Sequence, residues 1–200
     1  MKIELPQHTE KRATQFTNDL RTLTIIGANG AGKSRFGDEI ARRRADRVFC
    51  ISALKALFIN PTSNNAIGNN VTRLFNELQA KTTYRIEAID TEFERLMYLL
   101  MYEEFVNIIA YKQSEKQPGR LPRTKLDRVQ HHWEAIFPQN KMLRISGKLS
   151  IVGGKDTQPY EPTRLSDGEK TVLYLLSSVL YAEPNNIIMV EDPEVFLHHS

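Results

Sequence analysis

The sequence predicts an α/β protein: a doubly wound parallel sheet carrying an inserted helical lobe. Three observations lead there. Short β-branched apolar runs lie at 22–27 (TLTIIG), 47–53 (RVFCISA) and 186–190 (NIIMV), and such runs read as buried strands. Helical patterns adjoin them, the alternation that produces parallel strands with crossover helices. Between them, 71–112 contains neither proline nor glycine, so helix can run through it.

Taken in order, the first strand enters GANGAGKS and the chain continues as a helix, with Phe36 and Ile40 four residues apart on one face. The second strand follows at 47–53. Residues 60–70 (NPTSNNAIGNN) are turn formers and read as a loop. Val71, Leu74, Phe75 and Leu78, then Ile86, Ile89, Phe93, Leu96, Met97 and Leu100, recur at helical spacing; the pattern predicts two helices broken near Thr82 and Thr83. QPGRLP at 117–122 is a breaker. A helix over 125–137 shows Leu126, Val129, Trp133 and Ile136 on one side and ends at Pro138. Residues 142–152 read as a strand pair about Gly147, and 153–164 as a polar loop. Ser166 or Asp167 caps a helix that continues to Tyr181, and the third strand leads into 191–194. The expectation is one domain over 1–200, with an αβ core at 1–59 and 141–200 and the helical insert at 60–140.

Composition narrows the class. Apolar residues make up 40% and charged residues 26%, enough for both a core and a soluble surface. A net charge of +3, from 27 basic and 24 acidic residues, does not by itself argue for nucleic acid. The single cysteine, Cys50, excludes an internal disulfide framework and fits a reducing compartment. No apolar run approaches the ~18 residues of a membrane span, and MKIELPQHTEKR has no secretory apolar region. The expectation is a cytoplasmic protein with no membrane partner.

Residues 27–34 fit G-x-x-x-x-G-K-S, a pattern that chance gives to roughly one chain in a hundred of this length at average residue usage. In this pattern glycines let successive N–H groups point at phosphate oxygens, and the following helix adds its positive end. The candidate ATP-binding set is Gly27, Ala28, Asn29, Gly30, Ala31, Gly32, Lys33, Ser34 and the adjoining Arg35. Lys33 reaches the β- and γ-phosphates, and the Ser34 hydroxyl is a ligand for Mg²⁺. Glu191 stands at the tip of an apolar strand, where Mg²⁺ beside such a loop needs a carboxylate. Asp192 comes next and can orient or deprotonate an attacking water, with Glu194 as the fallback base. Lys33, Glu191 and Asp192 are thus the candidate catalytic residues. LSDGEK at 165–170 is a capping box, with Ser166 at the N-cap and Glu169 three residues on. A helix end capped this way, with Gly168 beside it, is also an anion site.

GANGAGKS, LSDGEK and IIMVEDPEVFLHH, in that order, resemble the ATP-binding-cassette class of P-loop ATPases. LSDGEK is similar to that class's signature motif in its RecF and SMC branch. EDPEVFLH resembles the DEPExxLH segment of the overcoming-lysogenization-defect (OLD) ATPases, whereas transporters usually carry DEPTSALD. The resemblance covers about 25 residues in three blocks and implies a P-loop NTPase head that hydrolyses ATP. It also implies an ATP-dependent homodimer, in which Ser166 and Gly168 of one copy meet the γ-phosphate on the loop of the other. Work on DNA in repair or phage defence, with an effector nuclease domain or protein, belongs to the same implication. Departures from the pattern are the reversed Glu191–Asp192 order, the shorter reach of Asp192, and His199 where proline is usual. The class usually continues past the position of Ser200 with a strand and a switch histidine, so the chain is expected to be C-terminally truncated. Neither Gln79 nor Gln113 has support as a Q-loop residue.

Other candidates compete with plainer explanations. Arg42, Arg43, Arg44 and Arg47 suit a solvated helix end better than a nucleic-acid contact. Residues 111–150 carry nine basic against three acidic groups, a balance of +6, while 75–110 carry three against seven, a balance of −4. The positive stretch, with Trp133 beside His131 and His132, is the better nucleic-acid candidate, and solvated helix faces explain it nearly as well. The adjacent pairs His131–His132 and His198–His199 lack metal-binding spacing. His198 matches the histidine after the acidic strand in the resembled class. Cys50 reads as a core residue. Two further functions compete with a DNA-linked ATPase: the ATP-binding subunit of a transporter, against which LSDGEK and PExxLH argue, and an ATP switch without hydrolysis.

Overall fold

The computed structural model describes residues 2–4, 15–17, 22–56, 92–114, 121–154 and 158–197. The elements are β1 (Lys2–Glu4), β2 (Gln15–Thr17), α1 (Lys33–Arg43), β3 (Val48–Ser52), α2 (Glu92–Gln113), α3 (Lys125–Ile136), β4 (Lys141–Ile145), β5 (Lys148–Val152), α4 (Asp167–Val179) and β6 (Ile187–Glu191). Short 3-10 turns occur at Ala53–Ala56 and Pro162–Arg164. The expected loop at 60–70, the helical pattern at 71–91 and His198–His199 lie outside the described residues.

β3 and β6 form a parallel pair, with Val48 opposite Ile187 and Ser52 opposite Glu191. Side chains alternate across a strand, so the two faces differ. Phe49 and Ile51 join the main apolar core with residues of α2, α3 and α4. On the other face α1 approaches so closely that a Cβ on Gly37 would stand 2.9 Å from Met189 Sδ. Helices therefore flank both faces of this pair, as parallel strands require.

The first expected strand differs. Residues 22–28 form no strand, and Leu23, Ile25 and Ile26 are 41, 47 and 90% exposed. β-branched residues favour extended backbone, but a strand also needs a hydrogen-bonded neighbour; among the described residues this segment has none. β6 is likewise half covered, with Ile188 and Val190 about two-fifths exposed. One pairing was not foreseen: β1 runs antiparallel to β2.

The core is densest around α2, α3 and α4. Phe93, Leu96, Leu100, Leu126, Val129, Trp133 and Leu173 have no measurable exposure. α3 begins with a capping box, Thr124 accepting from the Asp127 N–H and Asp127 from the Thr124 N–H. β4 and β5 form the expected hairpin, turning through Ser146 (φ 51) and Gly147 (φ 76), two successive positive-φ residues as a tight hairpin favours. This hairpin packs on α2 and α3 and extends through a bridge between Ile151 and Tyr160. α2 covers 92–113 of the stretch read as helical.

Candidate functional site

Residues 27–32 curl ahead of α1. The Ala31 N–H donates to the Ala28 carbonyl at 3.1 Å. Gly30 and Gly32 adopt φ of 81° and 90°, values that L side chains rarely take. Gly32 is the N-cap of α1, and its carbonyl accepts from the Phe36 N–H at 2.9 Å. The Lys33 ammonium turns back over the loop and donates to the carbonyls of Gly27 at 2.7 Å and Ala28 at 3.3 Å. A cation thus sits against the loop, where it can meet an anion beside the N–H groups of the first helical turn. Asn29, Ser34 and Arg35 are exposed.

Glu191 closes β6. Its Oε1 lies 3.6 Å from where a Cβ on Gly37 would stand, and Gly37 is three residues beyond Ser34. Positions three apart share a helix face, so the strand tip meets α1 one turn beyond Ser34, on the Ser34 side of the helix. Asp192 follows, exposed, with φ of 45°, a left-handed conformation that aspartate tolerates better than most residues. The chain then turns, with the Val195 N–H donating to the Asp192 carbonyl at 3.0 Å and the Leu197 N–H to the Glu194 carbonyl at 2.9 Å.

That turn leads to the start of α4. A Cβ on Gly168 would stand 3.1 Å from the Phe196 carbonyl oxygen, so glycine allows the two backbones to meet. Ser166 is the N-cap with a complete capping box; its N–H and Oγ both donate to Glu169 Oε2, at 2.9 and 2.7 Å. Asn140 Nδ2 donates to the other carboxylate oxygen of Glu169 at 2.6 Å, and Trp133 Nε1 donates to the Asn140 carbonyl at 3.0 Å. The exposed helix end is thereby tied to the buried indole.

The structure therefore groups the predicted residues in two places. Lys33 is held by Gly27 and Ala28 at the start of α1, Glu191 approaches the same helix at Gly37, and Gly168 lies against Phe196 in the turn after Asp192. Two contributors escaped the sequence reading. Gly37 had a visible signal, since a glycine inside a helical pattern is unfavourable unless packing requires it. Asn140 had none, because its link to Glu169 spans 29 residues.

The nucleic-acid candidate around Trp133 requires correction. Trp133 is fully buried, with its ring 4.5 Å from that of Phe137, so it offers no stacking face. Three basic groups of the positive stretch are committed to acids. Arg144 donates to Glu104 at 2.8 Å, Gln130 at 2.9 Å and Asp127 at 2.7 Å. Lys125 pairs with Glu103 at 2.8 Å and lies 4.1 Å over the Tyr181 ring. Lys141 pairs with Glu134 at 3.2 Å. Burial raises the Glu134 pKa, but hydrogen bonds from Gln130, the Met142 N–H and Lys141 outweigh it and hold the carboxyl below its ordinary value. The +6 and −4 stretches thus meet and partly neutralise each other. At the end of α1, Arg42 and then Arg43 hold Glu39 below its ordinary carboxylate range.

No protein-family profile, curated protein or solved structure matches the chain. Among the described residues, no helix is long and apolar enough to cross a membrane.

Proposed function

We propose that this chain is the head of a P-loop ATPase of the ATP-binding-cassette class, an α/β fold that binds and hydrolyses Mg²⁺-ATP and dimerises on it. The observation that carries the reading is the approach of Glu191 to α1 one turn beyond Ser34, on the helix whose first residue, Lys33, is held by the carbonyls of the preceding loop. The donor chemistry fits. A hydroxyl and a carboxylate are hard oxygen ligands, and Mg²⁺ is usually held by one or two carboxylates with substrate phosphates and waters.

In this reading, the loop N–H groups and Lys33 bind the phosphates, while Ser34 and Glu191 are ligands to the cation. Mg²⁺ supplies charge neutralisation on the phosphates. Asp192 orients the attacking water and accepts its proton. Ser166 and Gly168 meet the γ-phosphate bound by a second copy of the chain, which gives two sites related by a two-fold axis. The motif resemblance extends the proposal to a cytoplasmic OLD- or RecF-like role in DNA repair or phage defence with an effector nuclease; Cys50 as the single cysteine suits the compartment. A second reading, a nucleotide switch without hydrolysis, draws on Asp192, whose short side chain stands exposed on a left-handed residue.

Calorimetric titration of ATP into wild type and Lys33→Ala tests binding. Losing a charge-assisted contact of about 1.5–3 kcal/mol weakens affinity by roughly 10- to 100-fold. Equal affinities would refute the nucleotide site. Single-turnover hydrolysis by wild type and Asp192→Asn separates the two readings: an active wild type slowed by the substitution supports the ATPase, and binding without turnover supports the switch.

A further inference from the structure

We propose that Gly37 is a positioning residue for the divalent cation: its missing side chain leaves room beside α1 for the Met189 and Glu191 side chains of β6 and so sets Ser34 and Glu191 within reach of one ion. The inference rests on the nucleotide-binding reading and concerns how the metal half of that site is built.

Glycine inside a helix is unfavourable compared with alanine, and Gly37 lies inside α1, in ordinary helix. Backbone conformation therefore does not call for glycine here. Packing does, because Gly37 is the buried residue of α1. A Cβ would meet Met189 Sδ at 2.9 Å, closer than real contacts allow, and Glu191 Oε1 at 3.6 Å. Met189 belongs to β6 and pairs with Cys50 across the sheet. Glu191 lies two residues further on, on the same face of the strand. Ser34 precedes Gly37 by about 4.5 Å of helix rise on the same helix face.

One small residue thus leaves the space in which the Met189 and Glu191 side chains meet the helix that carries the hydroxyl. Alanine has only the flexible Met189 side chain to displace. A longer side chain occupies the space beside the Glu191 carboxylate as well. Metal sites are sensitive to supporting residues of this kind, whose mutation typically costs about 10- to 100-fold in metal affinity.

The experiment measures ATP affinity of the full chain with Mg²⁺ and again in EDTA, for wild type, Gly37→Ala, Gly37→Leu, Met189→Ala and the Gly37→Ala/Met189→Ala double variant. The ratio of the two affinities within one protein isolates the metal contribution, and a purely structural role would leave it unchanged. Gly37→Leu is expected to lose most of the Mg²⁺ enhancement, by about 10- to 100-fold, and to keep its EDTA affinity because the loop and Lys33 are intact. Gly37→Ala is expected to lose less, and Met189→Ala to restore it by removing the clashing sulfur. An unchanged ratio in Gly37→Leu overturns the inference and leaves the nucleotide site standing. If Gly37→Leu does not fold, an unchanged ratio in Gly37→Ala, or a reduced one that the added Met189→Ala does not restore, overturns it instead. A wild type that binds ATP equally with and without Mg²⁺ overturns the inference and the metal assignment together; one that binds no ATP overturns the whole reading.

Discussion

The two sides of the molecule are finished to different degrees. Around Trp133, Phe93, Leu96, Leu126, Val129, Met142 and Leu173 are covered, while Ile136 at the end of α3 is half exposed, and the indole N–H, Thr124, Asp127, Gln130 and Arg144 all have hydrogen-bond partners. Beside the 27–34 loop, Leu23, Ile25, Ile26, Ile188 and Val190 keep much of their surface in water, and Lys33 is held by backbone carbonyls. Apolar burial is the dominant favourable term in folding, so the helical side is a scaffold that holds itself together. Ligand sites are drawn from the less stable end of a protein by necessity. The contrast teaches that mutations on the two sides should separate stability from binding.

The sharpest break in that contrast is Trp133→Ala. Removing a fully buried aromatic ring costs about 3–5 kcal/mol, and here it also strips the Asn140 carbonyl of its donor. Chemical denaturation followed by circular dichroism should show the loss. A cost below about 1 kcal/mol, the level of an ordinary substitution, would mean that the helical core is not the scaffold.

The next effect runs the other way and belongs to the open side. ATP with Mg²⁺ at a hundred times its Kd should stabilise the wild type by about 2.7 kcal/mol, since it binds the folded state alone. Lys33→Ala at the same ATP concentration should gain far less, while its stability without ATP falls by no more than about 1 kcal/mol, since Lys33 is half-buried and loses its bonds to the Gly27 and Ala28 carbonyls. Thermal melting with and without nucleotide gives both values. An equal gain in the two proteins would place ATP somewhere other than this loop.

Local order was more legible in the sequence than assembly. The α3 helix followed from Leu126, Val129, Trp133 and Ile136 at helical spacing, of which the first three are buried and Ile136, at the helix end, is half exposed, and Gly147 marked the hairpin turn. Ser166 with Glu169 announced a capping box that is present in full. These are contacts between residues near one another in the chain, where periodicity and turn chemistry carry the information. The 22–27 run misled because β-propensity describes a pleated, half-buried surface and is silent on whether a neighbouring strand is there. Trp133 misled for a related reason: aromatic and basic residues close in sequence suggest a nucleic-acid face, but the helix turns the indole inward and Arg144 reaches back to Glu104, 40 residues away. Within the candidate site, GANGAGKS and Glu191 could be read directly. The approach of Glu191 to α1 could not, because it runs through Gly37 and Met189, residues far apart in the chain.

The smallest effect compares two caps of the same chemistry in the two environments. Thr124 and Ser166 each head a helix, and each belongs to a complete capping box. Thr124 is buried in the scaffold and Ser166 is exposed. Loss of an N-cap oxygen costs about 0.5–2 kcal/mol, and the value should lie near the top of that range where water cannot replace the lost acceptor. In Thr124→Ala the Asp127 N–H loses its acceptor inside the protein. In Ser166→Ala water can reach the Glu169 N–H, while Asn140 continues to hold the Glu169 carboxylate. Thr124→Ala should therefore lower the urea midpoint more than Ser166→Ala does. Under the proposed dimer, sedimentation with ATP should show the reverse order, with Ser166→Ala weakening association and Thr124→Ala leaving it intact wherever the protein remains folded. Should Ser166→Ala lower stability more than Thr124→Ala and dimerise normally, the α4 helix end would be a structural cap, and the division between scaffold and site would have to be redrawn at that helix.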